Sequence, residues 1–318
     1  MQPGFLERAL ELAEKGRGTT HPNPIVGAVV VAGDEIVGEG WHQRKGGAHA
    51  EVVALEAAGE RALGATLYVT LEPCAHHGAT PPCVDALLTA AVERVVAGQL
   101  DPDPEHGGGL AKLRAAGVDA EVADGEPAFR CRQQVEEWRR WVTSRRPFVT
   151  YKVAVTLDGR VRISGDRWVT GEASRRLVHV LRAQSDAVAV GMGTVRSENP
   201  RLDARDVPVV RQPRRIAFGR GPLPEGSELE LRSGPLREEL DALAADGVQS
   251  LLLEGGPTLA AAFLEEDLVD KLLVFVAPRL SGEGPEMLEG LPRPLELTRM
   301  EARSVGADVL LQAYVHEP

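Results

Sequence analysis

Cysteine is scarce in this chain, since its 318 residues include only Cys74, Cys83 and Cys131. This excludes a disulfide-stapled scaffold, because such scaffolds need several paired cysteines in a short secreted chain. Long apolar runs are also missing: no stretch of about 18 apolar residues occurs, which excludes a membrane span. The N-terminal segment lacks the basic and then apolar pattern of a signal peptide, so we expect a cytoplasmic location.

Positive charge is in deficit. Lys and Arg number 36 against 47 Asp and Glu, which gives a net charge of −11. An acidic chain is a poor general binder of nucleic acid or anionic membranes, so we expect neither as a partner. Residues 1–144 carry 13 basic and 21 acidic side chains, whereas residues 145–318 carry 23 and 26. The second part is therefore better suited to phosphate-bearing ligands.

The length of the chain favours two domains, at roughly 100–200 residues per domain. Strand patterns alternate with helix patterns along both halves, which is typical of a sheet covered by helices. A polar helix at 126–145, with Phe129, Trp138 and Trp141 as apolar anchors, is interpreted as a connector. We therefore expect one domain at 1–145, including this connector, and a second at 146–318.

Apolar periodicity predicts the elements of both halves. A helix begins near Ala48, and Pro81 and Pro82 are expected in the first turn of another helix, where their missing N–H groups cost nothing. The Pro- and Gly-rich stretches 219–235 and 281–294 are predicted to be loops. Further predictions include strands at 25–31, 35–40, 187–191, 215–218, 250–253, 271–276 and 307–315, and helices at 172–183, 236–246 and 258–264.

His49, Cys74 and Cys83 form a candidate zinc ligand set, because thiolates and imidazole are ligands that zinc prefers. Three protein ligands leave one coordination position open, which is the arrangement of catalytic zinc sites. Glu51 lies two residues after His49, where it can act as a proton carrier without binding the metal. The pattern H-x-E followed by P-C is typical of zinc deaminases, although their second Cys follows more closely than Cys83 follows Cys74.

Two other interpretations of these residues remain open. The site could be a closed structural zinc site, with His42, His76 or His77 as a fourth ligand. The three residues could also be unconnected members of a core. A structural site would give Glu51 no role, and this favours the catalytic interpretation.

The second half contains two glycine-bearing turns after predicted strands. VGMGTV at 190–195 has no third glycine and is therefore not a dinucleotide-binding fingerprint, so a plain strand-to-helix turn is an equal alternative. In LLLEGGPTLAAAF a strand ends at Glu254, two glycines follow, and a helix starts at Pro257-Thr258. Such a helix N-terminus can hold a phosphate group, with an ordinary β–α turn as the alternative.

Six segments closely resemble the bifunctional riboflavin-biosynthesis deaminase–reductases. They are HPNPIVG, GEGWHQRKGGAHAE and TLEPCAHHGATPPC in the first half, and KVAVTLDGR, LRAQSDAVAVGMGTV and EGGPTLAAAF in the second. The resemblance covers nearly the whole chain, and the spacing of the two cysteines favours this family over nucleoside or tRNA deaminases. It implies an α/β fold, with an N-terminal cytidine-deaminase-like α/β/α sandwich and a C-terminal dihydrofolate-reductase-like α/β domain.

The resemblance also implies two reactions. The first is zinc-dependent hydrolytic deamination of 2,5-diamino-6-ribosylamino-4(3H)-pyrimidinone 5′-phosphate, and the second is NADPH-dependent reduction of the ribosyl group to ribityl. One zinc ion per chain would be bound by His49, Cys74 and Cys83, with Glu51 as the proton donor and Asn23 on the pyrimidine. We expect a homo-oligomer that acts on small phosphorylated pyrimidines.

The resemblance places further residues on the ligands of the second half. The residues implied for NADPH are Ala154, Trp168, Thr194, Glu198, Arg220, Gly256, Pro257, Thr258, Leu259, Ala260, Ala261 and Ala262. Those implied for the substrate are Asp166, Arg182, Leu202, Arg205 and Glu254. Lys152 is a further candidate for a substrate contact. The alternative is that it is a lysine at a sheet edge that serves solubility.

The chain departs from the family pattern at several positions: Ala79 replaces Arg, Asp103 replaces Asn, Asp166 replaces Ser in a shortened loop, Glu198 replaces Asp, and Arg220 replaces Ser. Two alternatives to the bifunctional enzyme follow. One is an active zinc deaminase with a degenerate reductase half. The other is a non-enzymatic scaffold stabilised by zinc, against which Glu51 argues.

Overall fold

The computed structural model describes residues 3–77, 81–103, 105–288, 290–291 and 293–318. The chain divides into two compact units, Met1–Ser144 with Pro318 and Arg145–Glu317. Within the described ranges, the first unit is built on a five-stranded sheet and the second on an eight-stranded sheet. None of the described helices has the length and apolar character that crossing a lipid bilayer requires.

The five-stranded sheet of the first unit has the order β2-β1-β3-β4-β5. Its pairs β1–β2 and β1–β3 are antiparallel, whereas β3–β4 and β4–β5 are parallel. The elements are α1 (Pro3–Glu14), β1 (Gly27–Ala32), β2 (Glu35–Trp41), α2 (Ala50–Ala58), a short 3₁₀ turn (Gly59–Ala62), β3 (Thr66–Val69), α3 (Cys83–Thr89), β4 (Arg94–Ala97), α4 (Gly109–Ala115), β5 (Asp119–Val122), α5 (Gly125–Gln134) and α6 (Glu136–Ser144).

Helix α2 packs closely on strand β2. A Cβ added at Gly40 of β2 would lie 2.3 Å from the carbonyl oxygen of Ala50, so only glycine allows this approach. Ala50, Ala54 and Ala58 recur at helical spacing and are buried on the contact face. The first turn of α2 is therefore fixed against the sheet.

The eight-stranded sheet of the second unit has the order β12-β13-β11-β6-β10-β7-β8-β9. The six strands from β11 to β9 are parallel to one another, and β13 is antiparallel to β11 and β12. The elements are β6 (Phe148–Thr156), α7 (Glu172–Gln184), β7 (Ala187–Gly191), α8 (Met192–Glu198), β8 (Arg214–Phe218), β9 (Glu230–Arg232), α9 (Leu236–Ala245), β10 (Ser250–Leu253), α10 (Pro257–Glu265), β11 (Lys271–Ala277), β12 (Thr298–Val305) and β13 (Asp308–Tyr314).

A buried ion pair holds the start of β6 against the start of β11. Asp270 is fully buried and accepts two hydrogen bonds from the Arg146 guanidinium, at 2.7 and 2.8 Å. It also accepts the backbone N–H of Val149 at 2.8 Å. Because every one of these donors is inside the protein, the carboxylate stays compensated despite its burial.

The structure corrects several predicted elements. The predicted loop 219–235 contains the short strand β9, and the predicted connector helix is interrupted at Val135, whose φ of −125° is not helical. The helix expected to include Pro81 and Pro82 begins only at Cys83. Strand β12 was not predicted because seven of its eight residues are exposed, so its sequence shows no apolar alternation. The strands predicted at 187–191 and 250–253 are confirmed.

Candidate functional site

The three candidate zinc ligands lie together in the first unit. His49 is the residue before α2, Cys74 lies in the loop after β3, and Cys83 is the first residue of α3. Their ligand atoms are all within 4.8 Å of one another. His49 Nδ1 lies 3.2 Å from Cys83 Sγ and 3.6 Å from Cys74 Sγ, and the backbone N–H of Cys83 donates to Cys74 Sγ at 3.3 Å.

The donor set fits zinc in its chemistry as well as in its geometry. Contact with the Cys83 thiol and with His49 lowers the pKa of Cys74, which favours the thiolate form of this sulfur. Thiolate is the form that binds metal, and N-termini of helices favour it. Among the described residues the group contains three ligands, which leaves one position open for catalysis.

The histidines considered as a fourth ligand are not part of this group within the described ranges. His42 is directed to the carbonyl oxygen of Ala48, at 3.1 Å from its Nδ1, and its ring meets His49 edge-on. The His76 ring lies against His106, with centroids 4.3 Å apart. The structure therefore favours the open catalytic arrangement over a closed structural one.

Glu51 is the acid–base candidate beside the ligands. It is the second residue of α2 and only 3% exposed, and its carboxyl group contacts the Cys83 thiol. Burial raises the pKa of Glu51, and the nearby His49 opposes this increase. A carboxyl group that holds a proton more readily than usual is suited to carrying one between reacting atoms.

Glu72, in the loop that carries Cys74, connects this loop to a second loop at 101–109. The Glu72 carboxylate is buried and accepts the backbone N–H groups of Asp101 and Leu110, at 3.1 and 2.9 Å. Burial raises the pKa of Asp101 to about 6. Sequence reasoning missed Glu72, although its place two residues before Cys74 was a signal. The interaction caps helix α4 from outside its own sequence.

The other residues singled out near this site lie in loops. Asn23 is exposed in the turn before β1, and its backbone N–H donates to Thr20 O at 2.9 Å. Within the described part of the chain, its side chain makes no hydrogen bond to the ligand group. Asp103 accepts a hydrogen bond from His106 Nδ1 at 2.8 Å. Ala79 lies outside the described residues.

The second unit contains a buried cluster of charged side chains. Arg182 of α7 donates two hydrogen bonds to Glu254, at 2.6 and 3.0 Å, and Lys152 Nζ lies 3.6 Å from the same carboxylate. Burial lowers the pKa of Lys152. Burial alone would raise the pKa of Glu254, but Lys152 and Arg182 outweigh it, so this pKa is lowered. The carboxylate is thus ionised at neutral pH.

The interpretation of Lys152 as a solubility residue at a sheet edge is wrong. Strand β6, which carries it, lies between β11 and β10 inside the sheet. The Lys152 side chain is 15% exposed. A lysine buried to this extent needs a charged partner, which Glu254 provides.

The charged cluster continues into the segment after α8. The carbonyl oxygen of Asp203 accepts a hydrogen bond from Arg182 at 3.2 Å, and His179 Nδ1 lies 3.2 Å from it. The Asp203 carboxylate contacts Arg205 at 2.6 Å and Arg201 at 3.0 Å. The structure therefore brings together the predicted substrate residues Arg182, Arg205 and Glu254. Leu202, which lies between Arg201 and Arg205 in sequence, is buried. Sequence reasoning missed His179 and Asp203, whose only signal was proximity to predicted site residues.

The two glycine-bearing turns meet at the carboxyl ends of β7 and β10. A Cβ added at Gly256 would lie 3.8 Å from Thr194 Oγ1, and one at Gly191 would lie 3.4 Å from Leu259. Gly256 precedes α10, and Pro257 is its first residue. Carboxyl ends of parallel strands followed by helix N-termini are where α/β proteins bind phosphorylated cofactors.

The remaining predicted cofactor residues differ in accessibility. Of the α10 residues, Thr258 is exposed, Ala261 and Ala262 are half-buried, and the Ala260 side chain is fully buried in the core. Ala154 is half-buried in β6. Glu198 is exposed and lies 3.9 Å from Arg162. Arg220 is exposed after β8, and its carbonyl oxygen accepts a hydrogen bond from Arg196 at 2.6 Å.

Trp168 and Asp166 occupy an arginine-rich surface. Trp168 is 49% exposed, with the guanidinium groups of Arg167 and Arg175 at 4.9 and 5.3 Å from its ring centre. Arg279 forms an ion pair with Asp166 and donates to the carbonyl oxygen of Trp168 at 3.3 Å. The negative charge of Asp166 is therefore compensated, which reduces any repulsion of a phosphate.

Comparisons with known proteins match both units. The cytidine and deoxycytidylate deaminase zinc-binding region matches residues 2–99, and the RibD C-terminal domain matches residues 147–311. Riboflavin biosynthesis protein RibD of Aquifex aeolicus is 38% identical over 346 residues, with 96% of each chain covered. The protein of the same name in Escherichia coli is 40% identical over 365 residues, with 96% of this chain and 97% of the relative covered.

A solved structure is similar over the same extent. It is the diaminohydroxyphosphoribosylaminopyrimidine deaminase/5-amino-6-(5-phosphoribosylamino)uracil reductase of Thermotoga maritima, which is 33% identical to this chain. The two structures superpose with a TM-score of 0.84, and 98% of each chain is covered. The likeness therefore extends through both units.

Proposed function

The chain belongs to the RibD family of riboflavin-biosynthesis proteins, and from this premise we propose which of its residues carry each reaction. It is a bifunctional enzyme, with a zinc-dependent deaminase half and an NADPH-dependent reductase half. The predicted fold class, cytidine-deaminase-like and then dihydrofolate-reductase-like, is confirmed. The proposed substrate of the first half is 2,5-diamino-6-ribosylamino-4(3H)-pyrimidinone 5′-phosphate.

The deaminase site is the group of His49, Cys74 and Cys83 with Glu51 beside it. Zinc bound there supplies an activated water for hydrolysis. The Glu51 carboxylate takes a proton from the attacking water and delivers it to the ring nitrogen. A second proton passes through the same carboxyl group to the amino group, which leaves as ammonia while the new carbon–oxygen bond remains. Asn23 is proposed to contact the pyrimidine.

The reductase site is the charged cluster together with the α10 turn. Bound NADPH would supply a hydride to C1′ of the opened ribose, the proposed acceptor, and would leave as NADP⁺. A proton from solvent would complete the ribitylamino product. The N-terminus of α10, with Gly256 before it, binds a cofactor phosphate through its free N–H groups. The other proposed cofactor contacts are Ala154, Trp168, Thr194, Glu198, Arg220, Pro257, Thr258, Leu259, Ala260, Ala261 and Ala262.

The charge of the cluster supports a phosphorylated substrate. Among the described residues, the cluster contains four basic side chains and two carboxylates, those of Glu254 and Asp203. The basic side chains are Lys152, Arg182, Arg201 and Arg205. Two positive charges are therefore left over, which matches a phosphate monoester dianion. Asp166 and Leu202 complete the proposed substrate contacts.

The observation that carries the proposal is the buried Glu51 carboxyl group against three clustered zinc ligands. Its test is a chromatographic assay with the zinc-loaded enzyme and the diaminopyrimidine substrate, with and without NADPH. Glu51→Gln should lose about 10²–10⁴-fold in deamination, because an amide cannot accept the proton. The same variant should still reduce deaminated substrate supplied directly. Glu254→Gln should lose the reduction step and retain deamination.

Glu238→Gln is the matched control, because Glu238 is exposed on α9 and touches neither site. It should leave both steps unchanged. Deamination that survives in Glu51→Gln would refute the role of Glu51. A wild-type enzyme that accumulates only deaminated product in the presence of NADPH would establish the alternative, a degenerate reductase half.

The cytoplasmic location and the homo-oligomeric state are part of the proposal. The edge strand β12 supports an oligomer, because Met300 is 73% exposed there and an edge strand presents free backbone groups for pairing. Light scattering after size-exclusion chromatography measures the assembly directly, and a monomer at every concentration would refute it.

A further inference from the structure

The segment 201–205 is held firmly between α8 and β8. Ala204 exchanges two hydrogen bonds with the Gln212 side chain, at 2.9 and 2.7 Å. Leu202 is 2% exposed and has a φ of +54°, a conformation that costs a residue other than glycine free energy. With Arg182 and His179 on the carbonyl oxygen of Asp203, the backbone here is fixed from several sides.

The Asp203 side chain extends from this fixed backbone to two arginines. Its carboxylate is 12% exposed, whereas the Arg205 side chain is 45% exposed and that of Arg201 is 76% exposed. Burial raises the pKa of Asp203, but Arg205 and Arg201 outweigh this effect, so the pKa is lowered and the group stays ionised. The Asp203 carboxylate, on a fixed backbone, therefore contacts two guanidinium groups that are more exposed than it is.

We propose that Asp203 is a positioning residue of the reductase half, which orients Arg205 toward the phosphate group of the substrate. The inference rests on the proposed function, in which Arg205 contacts that phosphate. The bond to Asp203 occupies Arg205 Nη1. No other hydrogen bond of this guanidinium occurs within the described ranges, so its remaining N–H groups can donate to phosphate oxygens. An arginine already fixed in place loses less conformational entropy when the ligand binds.

The negative charge of Asp203 also repels an anionic ligand. This repulsion must be compared with the gain from orienting Arg205. Arg205 is nearly half exposed, and water and salt weaken charge repulsion at such a position. Orientation is not weakened in this way, because bidentate binding of phosphate needs a defined direction of the guanidinium plane. We therefore expect orientation to dominate.

Asp203→Asn tests the inference, because it keeps the shape and the backbone carbonyl oxygen and removes the charge. With deaminated substrate and NADPH, KM should rise about tenfold while kcat changes little, as expected for the loss of one charge-assisted hydrogen bond. Inorganic phosphate should inhibit this variant more weakly than the wild type. An unchanged or lower KM would overturn the inference, since a lower value means that repulsion dominates.

Asp186→Asn is the matched control. Asp186 is 13% exposed, forms an ion pair with Arg211 and accepts the backbone N–H groups of Gln249 and Ser250, so it resembles Asp203 in burial and pairing. Its substitution should lower the melting temperature without a change in KM. A tenfold rise in KM in this control as well would show a general structural effect and overturn the inference.

Arg205→Ala separates the inference from the proposed function. This variant alone should raise KM, and adding Asp203→Asn should raise it less than twofold further, because the two residues act through one contact. Full additivity would mean that Asp203 acts only on stability, which overturns the inference. If Arg205→Ala leaves KM unchanged, the proposed phosphate contact fails as well as the inference. If Arg205→Ala raises KM but Asp203→Asn does not, only the inference is overturned.

Discussion

Gly109 lies directly against the carbonyl oxygen of Pro73: a Cβ added at Gly109 would be 1.7 Å from that oxygen. Pro73 precedes the proposed zinc ligand Cys74, and Gly109 is the first residue of α4. Lys112 adds a hydrogen bond to Ala75 O at 2.7 Å. The N-terminal part of α4 thus supports the loop that carries one metal ligand.

Gly109→Ala should therefore displace the Pro73–Cys74 loop. We expect a destabilisation of about 1–3 kcal/mol, the usual range for overpacking, and a lower zinc affinity. Gly4→Ala is the control, because Gly4 is also helical and a Cβ there meets nothing within 4 Å. Competition with a chelator measures the zinc affinity, and equal affinities in the two variants would contradict the prediction.

The three cysteines should differ in zinc binding. Cys83→Ser should lose zinc, whereas Cys131→Ser should retain one ion per chain, because Cys131 is buried in α5 and is not a member of the ligand group. Elemental analysis of the purified variants decides this. Equal loss of zinc in both variants would refute the assignment.

Thiol labelling should also distinguish Cys131 from the cysteines of the proposed zinc site. Burial raises the pKa of Cys131 to about 12, so almost no thiolate exists at pH 8 to react with an alkylating reagent. Mass spectrometry should find Cys131 labelled only after denaturation. Cys74 is only half-buried and its pKa is lowered, so it should become reactive earlier, when a chelator removes the metal. Rapid labelling of Cys131 in the native protein would contradict its buried position.

Arg220 should contribute to the choice of cofactor. Its exposed side chain follows β8, and a charge-assisted contact with the 2′-phosphate of NADPH is worth about 1.5–3 kcal/mol. We expect a preference for NADPH over NADH that Arg220→Ser narrows at least tenfold, mainly by weakening NADPH binding. Arg303→Ser on the edge strand β12 is the control. Dissociation constants for both cofactors provide the measurement, and an unchanged ratio removes Arg220 from the site.

Removing one partner of the buried Arg146–Asp270 pair should strongly destabilise the second unit. Asp270→Asn leaves the guanidinium without its carboxylate, and such a loss costs about 3–5 kcal/mol. The exposed pair Arg299–Glu317 is the contrast, where Glu317→Gln should cost at most about 1 kcal/mol. Hydrogen exchange of the β6 amides reports the difference, and similar exchange rates in the two variants would contradict it.

Local sequence patterns predicted many elements correctly and failed where tertiary context decides. Strand 250–253 is an apolar run bounded by polar residues, so its pattern was sufficient. Strand β12 is almost entirely exposed, and it is a strand because β13 pairs with it. Pro82 stands just outside α3 rather than within it, because its ψ of 136° is not helical.

The sequence by itself determined the chemistry of the first site, because zinc needs particular ligand types and His49, Glu51, Cys74 and Cys83 occur in a recognisable pattern. Only the tertiary structure decided how the charges of the second site are paired. Lys152 and Glu254 are 102 positions apart, and they meet because β6 and β10 are neighbours in the sheet. Lys152 is consequently buried rather than solvated, and Asp203 lies between arginines, since strand order and loop path place distant residues together and no local periodicity encodes either.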